Sequence, residues 1–240
     1  MSLGIIGGTG ALELVEETAP LAVSSGYGEP SAPPVGVRFG QTEAVFIARH
    51  GIPHHIAPHR VNYRANIDSL RQAGVSRVIG INAVGGIDPE LPAGALVLPD
   101  QLIDYTWGRV HTFSDDPAAP LAHIEFAEPF AGPGREALLD AAERVGVGLH
   151  PRGCYAVTQG PRLETAAEIS RLATDGCTLV GMTAMPEAAL AREAGLDYAC
   201  LCVVANPAAG VGEEPISIEA IHRELAGGMQ RVKRILEALA

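Results

Sequence analysis

Short apolar runs alternate along this chain with amphipathic segments that stop at glycine, and nothing else in the sequence narrows the fold as much. Residues 3–6, 44–48, 78–82, 96–98, 155–158 and 198–205 are the apolar runs. They have strand length and read as buried strands. Residues 61–74, 134–146, 165–176, 186–195 and 217–239 read as helices, and the first four close on Gly74, Gly146, Gly176 and Gly195. Glycine suits the left-handed turn that ends a helix. Strands separated by helices can pair in parallel, because the helix carries the chain back across the sheet. The pattern predicts an α/β fold: one mixed, mostly parallel central β-sheet flanked by helices, with 1–240 as a single domain. Residues 27–40 and 111–133 are rich in Pro and Gly or irregular, and read as loops. Long loops in a compact domain are often functional, although a surface excursion or an oligomer contact explains them equally well.

Composition excludes several classes of function. Seventeen basic residues against 28 acidic ones leave a net charge of −11, which disfavours nucleic acid and anionic membrane as partners. An anion would need a local pocket of donors. The four cysteines, Cys154, Cys177, Cys200 and Cys202, form no Cys-x-x-Cys pair, and a chain of 240 residues needs no disulfide staple. Reduced thiols in a soluble, cytoplasmic protein are expected. No apolar stretch approaches the roughly 20 residues that span a bilayer.

Several blocks sit where strands end. Gly4-Ile5-Ile6-Gly7-Gly8-Thr9-Gly10 is a glycine-rich turn whose backbone N–H groups can face an anion. Glu13 stands where a dinucleotide fingerprint needs its third glycine, and no Gly-Lys-Ser/Thr follows, so a tight structural turn fits as well. Arg49-His50-Gly51 closes an apolar strand. The arginine fork suits phosphate, but a salt bridge to a carboxylate is the plainer explanation of a cation placed there. His50, His54, His55 and His59 have metal-like spacing only on a helix, which Pro53 and Pro58 oppose. Gly160-Pro161-Arg162-Leu163-Glu164-Thr165 joins a strand to a helix. Glu164 or Thr165 can cap that helix, or Glu164 can point into the crevice at the strand ends. Met182-Thr183 ends another strand, and Pro186 stands at a helix start where its missing N–H costs nothing. Asn206-Pro207-Ala208 closes the last strand, where Asn206 can form a turn with Pro207 or face a ligand.

Taken together, the blocks at residues 4–10, 49–51, 160–165 and 182–193, with Asn206, resemble the methylthioadenosine phosphorylase and purine nucleoside phosphorylase family. The resemblance runs nearly end to end and implies a nucleoside-phosphorylase fold. It implies that Thr9, Arg49, His50, Asn82, Ala83 and Thr183 hold phosphate. Met182 would back the ribose, and the base would sit among Leu163, Glu164, Asn206, Pro207 and Ala208. It implies a homotrimer in which His123 reaches a neighbour's sugar site, with phosphate as co-substrate and no cofactor or metal. Leu163 departs from the usual Phe, and Pro207 stiffens the loop after Asn206.

Hydrogen-bond chemistry then bears on the base. A carboxylate only accepts, whereas a carboxamide donates and accepts. Adenine presents a 6-amino donor; hypoxanthine presents a 6-oxo acceptor and an N1–H donor. Asn206 can donate to O6 and accept from N7–H, while Glu164 accepts from N1–H. Methylthioadenosine enzymes carry Asp at the place of Asn206 and again two residues later, where this chain has Ala208. Ile216 falls at or near the position that handles the sugar 5′ group, and its apolar side chain suits a methylthio substituent better than a hydroxyl. A 6-oxopurine base site beside an apolar 5′ pocket resembles methylthioinosine phosphorylases, which release hypoxanthine and 5-methylthioribose 1-phosphate. The alternatives are a general 6-oxopurine nucleoside phosphorylase, a methylthioadenosine phosphorylase, a metal-dependent hydrolase or deaminase built on the histidines, and a non-catalytic nucleoside-binding module.

Overall fold

Neighbouring residues Ile5 and Ile6 are both fully buried, yet they enter different hydrophobic layers. The period-two alternation of a strand puts successive side chains on opposite faces, so a run of apolar residues means both faces are covered. Residues 198–205 repeat this: Ala199, Leu201, Val203 and Ala205 enter one layer, and Tyr198, Cys200, Cys202 and Val204 the other. The computed structural model describes residues 2–15, 19–115, 121, 123–212 and 218–239.

Strands β1 (Ser2–Gly7), β2 (Val35–Phe39), β3 (Thr42–Ala48), β4 (Val75–Gly86), β5 (Leu96–Val97), β6 (Gln101–Asp104), β7 (Cys154–Val157), β8 (Leu179–Gly181) and β9 (Asp197–Pro207) build one nine-stranded sheet. Its main path is β2-β3-β1-β4-β8-β7-β6, and β9 lies between β4 and β5. β1 pairs in parallel with β3 and β4, β4 with β9, and β7 with β6 and β8. The pairs β2–β3, β4–β8 and β5–β9 are antiparallel. The sheet is therefore mixed and mostly parallel, as expected.

Helices α1 (Tyr63–Gln72), α2 (Pro133–Arg144), α3 (Ala166–Thr174), α4 (Ala184–Glu193) and α5 (Ile218–Glu237) cover it. Leu138, Ala141, Leu225, Met229 and Val232 bring α2 and α5 onto one face. Ile67, Leu70, Ala188 and Leu190 bring α1 and α4 onto the other. Ile169 and Leu172 of α3 pack on Ala156 and Val180 at the β7–β8 end.

Two strands go beyond the sequence expectation. β2 lies inside the stretch expected to be loop, as an edge strand against β3. β6 also lacked a signal of its own, whereas the three-residue β8 ends just before Met182-Thr183, as expected. The stretch 111–133 read as loop holds no helix or strand at residues 111–115 and 123–132, and α2 begins at its last residue, Pro133.

β4 organises the site. Its pairing with β9 shifts register between Val84 and Gly85, so that Gly85 lies opposite Asn206. The same Gly85-Gly86 end pairs with Val180 and Leu179 of β8. A bulge of this kind re-aims side chains. Here it draws the ends of β4, β8 and β9 together.

Candidate active site

The blocks singled out by sequence meet at one edge of the sheet because β1, β3, β4, β8 and β9 all deliver their final residues there. They surround a cavity of about 440 Å³. That size lies within the roughly 300–1,000 Å³ of small-molecule sites. Thr9 follows β1, Arg49-His50 follow β3, Ala83 is in β4, Met182-Thr183 follow β8, and Asn206 is in β9; all line the cavity. Leu163, Glu164 and Ala208 also line it. Open α/β sheets bind ligands in this kind of crevice, outside the strand ends.

Arg49 is fully buried at the cavity wall. Its Nε donates to Glu187 Oε2 at 2.7 Å, and its Nη2 donates to Glu187 Oε1 at 2.7 Å. Nη1 donates to the Ile81 carbonyl at 2.8 Å, and Nη2 also to the Ile6 carbonyl at 3.2 Å. The salt bridge left open by the sequence is therefore present, with Glu187 as the partner. Burial alone would lower the Arg49 pKa, but the Glu187 carboxylate outweighs it and the net shift is upward. Tyr198 donates to Glu187 Oε1 at 2.8 Å. Gly80 makes room for this arrangement, since a Cβ there would stand 2.1 Å from the Tyr198 hydroxyl.

His50 is buried, with Nδ1 at 2.7 Å from the Ile56 carbonyl. A carbonyl only accepts, so Nδ1 carries the proton and Nε2 of the neutral ring offers a lone pair. Burial, then the Arg49 charge, push its pKa down to about 4. The His54 ring stacks on it with centroids 4.4 Å apart. Residues 50–60 form turns and a short 3-10 segment rather than an α-helix. Among the described residues, no group of three or more His, Cys, Asp or Glu side chains converges to hold a metal ion.

Thr183 donates from its hydroxyl to Asn82 Oδ1 at 2.8 Å. Asn82 is buried and stands behind the wall, held by Nδ2 to the Gly80 carbonyl at 3.1 Å. Of the six residues expected around phosphate, Asn82 alone is away from the cavity surface. Its bond to Thr183 ties it to a residue that does line the cavity.

On the other side, Thr165 takes the helix-capping role. Its Oγ1 accepts from Glu168 N at 3.1 Å, and Glu168 Oε2 accepts from Thr165 N at 2.7 Å, a reciprocal capping box. Glu164 is thereby released to the cavity, where the Thr158 hydroxyl donates to its Oε1 at 2.6 Å. Asn206 bonds its neighbour Pro207 and also lines the cavity. Its Nδ2 donates to the Pro207 carbonyl at 2.6 Å, and the side chain still lines the cavity. One N–H and the amide oxygen remain for a ligand. Pro207 itself is exposed and away from the cavity, and so is His123. Ile216 lies outside the described residues; Ile221 and Leu225 of α5 line the wall.

The family model described as "Phosphorylase superfamily" matches residues 2–240. The chain belongs to the phosphorylase superfamily. A Xylella fastidiosa relative named "Probable S-methyl-5'-thioinosine phosphorylase" is 55% identical over 89% of this chain and 91% of its own length. A Pseudomonas syringae relative of the same name is 48% identical over 97% and 95%. The "6-oxopurine nucleoside phosphorylase" of Pyrococcus furiosus is 42% identical over 99% and 91%. Among solved structures, the methylthioadenosine phosphorylase of Schistosoma mansoni in complex with adenine superposes with a TM-score of 0.92 at 31% identity, covering 100% of this chain and 91% of that one.

Two residues of this phosphorylase escaped the sequence reading. Glu187 followed Pro186 ahead of a run of apolar residues, the one charge in α4 before Arg192, which is the one clue that it has a buried partner. Arg109 gave no signal, being one cation in a long irregular stretch. It is buried, and it donates to the carbonyls of Met182 at 2.8 Å, Met185 at 2.6 Å and Gln159 at 2.9 Å. It thus ties the segment after β7 to the segment after β8, the two that carry Glu164 and Thr183.

Proposed function

We propose that this phosphorylase cleaves the N-glycosidic bond of 5′-methylthioinosine with inorganic phosphate, giving hypoxanthine and 5-methylthioribose 1-phosphate. The observation that carries the reading is that Asn206 and Glu164 line the same cavity, with Ala208 rather than a carboxylate two residues after Asn206. Asn206 donates to O6 and, as the departing base takes up a proton from solvent at N7, accepts from N7–H; Glu164 accepts from N1–H. A 6-amino group would instead meet the Asn206 donor, and mispairing a buried polar group costs on the order of 1–3 kcal/mol. Relatives 48–55% identical bear the corresponding name.

Phosphate sits at the other end, among Thr9, Arg49, His50, Ala83 and Thr183, with Asn82 orienting Thr183. A phosphate oxygen meets the anomeric carbon from below as the carbon–nitrogen bond breaks and its electron pair leaves with the purine. Charge grows on the base, where Asn206 and Glu164 meet it, and on the sugar, where the phosphate anion offsets it. The work is positioning and electrostatic stabilisation, and it calls for no cofactor or metal. Met182 backs the ribose and Leu163 covers the base. Ile216, with Ile221 and Leu225, makes the 5′ end apolar. The active form is a cytoplasmic homotrimer in which His123 of a neighbouring subunit completes the sugar site.

The relative from Pyrococcus furiosus supports a second reading, a general 6-oxopurine nucleoside phosphorylase with the same base contacts and a sugar site open to a 5′-hydroxyl. Incubating the protein with methylthioinosine tests the reaction itself: hypoxanthine followed by chromatography and the sugar phosphate by phosphorus NMR. Both are expected in equal amounts and only with phosphate present. Base release that ignores phosphate contradicts the proposal.

A further inference from the structure

We infer that Glu187 is a positioning residue for the phosphate end of the cavity, holding Arg49 so that a single guanidinium N–H is left for the anion. The inference rests on the placement of phosphate proposed above. An arginine side chain has five N–H donors and no acceptor. Four of them are accounted for: two on Glu187, one on the Ile81 carbonyl and one on the Ile6 carbonyl. The fifth is on Nη1. That nitrogen lies against the glycine-rich turn, since a Cβ on Gly8 would stand 2.7 Å from it, and both Gly8 and Arg49 line the cavity.

The charge pattern agrees with this. Glu187 and Arg49 are both fully buried and cancel, so the pair draws an anion by direction rather than by net charge. A carboxylate facing away from the ligand is a costly thing to place next to an anion site unless its role is to fix the cation. Glu187 is itself fixed, by the Tyr198 hydroxyl at 2.8 Å. In Glu187→Gln the amide can accept from Arg49 through one atom only. Its NH2 meets a guanidinium donor with another donor, so Arg49 must turn and its remaining N–H leaves the anion.

The test is steady-state kinetics with methylthioinosine and phosphate varied separately, together with the melting shift that phosphate alone produces. Glu187→Gln is expected to raise the phosphate KM at least tenfold, to leave the nucleoside KM within threefold, and to diminish the phosphate-induced melting shift. Glu187→Asp keeps the charge on a shorter arm and should fall between. In an Arg49→Met background the Glu187→Gln change should add nothing, because it acts through Arg49. Replacing both members of a buried ion pair is also better tolerated than removing one. Should Glu187→Gln not fold, Tyr198→Phe removes one bond from Glu187 and should raise the phosphate KM about threefold. A phosphate KM that is unchanged or lower in folded Glu187→Gln overturns the inference, as does an equal effect with Arg49 absent. A wild-type protein indifferent to phosphate would instead sink the placement of phosphate and leave nothing for Glu187 to position.

Discussion

Asn206→Asp should move the base preference from 6-oxo towards 6-amino purines, and the structure bounds the size of the effect. The change replaces a group that donates and accepts with one that only accepts. One Asn206 N–H is already committed to the Pro207 carbonyl at 2.6 Å, so a single N–H is at stake for the purine O6. The carboxylate would also face that carbonyl, and must rotate away from it. Asn206 is half-buried, which argues for the lower part of the 1–3 kcal/mol range, about 1–2 kcal/mol lost against hypoxanthine and a similar amount gained with adenine. Together these come to about 2–4 kcal/mol, or roughly 30- to 1,000-fold in the ratio of kcat/KM values. The assay is phosphate-dependent release of hypoxanthine from methylthioinosine and of adenine from methylthioadenosine. A ratio that stays within threefold of the parent refutes the assignment of Asn206 to the 6-substituent.

Three further outcomes follow from the same geometry. Arg109→Met leaves the carbonyls of Met182, Met185 and Gln159 without their donor, at a cost of about 2–4 kcal/mol and a fall in Tm of roughly 5–15 °C by circular dichroism; an unchanged Tm contradicts its tying role. His50 titrates at about 4 when folded against roughly 6.5 unfolded, so the unfolded chain takes up the proton first and stability falls as pH drops through that window. Urea unfolding should show this loss, about 3 kcal/mol, to be larger in the parent than in His50→Gln, and equal losses would place the titration elsewhere. The protein should sediment at three times its 25.0 kDa protomer mass, and His123→Ala should raise the nucleoside KM without altering that mass; a monomer with full activity contradicts the trimer.

Much of this architecture was legible because the signals were local. Gly74, Gly146, Gly176 and Gly195 end their helical segments in left-handed conformations, each two residues past the last helical one. The alternation at 198–205 places its side chains in two layers as read. β2 was hidden because Pro33-Pro34 and Gly36 mask the alternation of Val35, Val37 and Phe39, and an edge strand exists only through its partner β3. β8 has three residues and owes its existence to β7 on one side and the end of β4 on the other. Within the site, Thr9, Arg49, His50, Thr183, Glu164 and Asn206 were found because each closes a strand or opens a helix. Arg109 and Glu187 were missed because their roles are set by carbonyls and side chains more than 45 residues away in sequence. Asn82 stands behind the cavity lining and bonds Thr183, a contact between residues 101 apart that the sequence does not show.

The most direct measurement of the central claim is kcat/KM for methylthioinosine, methylthioadenosine, inosine and adenosine, side by side at saturating phosphate. Methylthioinosine is expected to lead, with methylthioadenosine behind it through the base site and inosine behind it through the 5′ pocket. Methylthioadenosine in the lead would contradict the roles given to Asn206 and Glu164, whereas inosine in the lead would contradict only the apolar 5′ end.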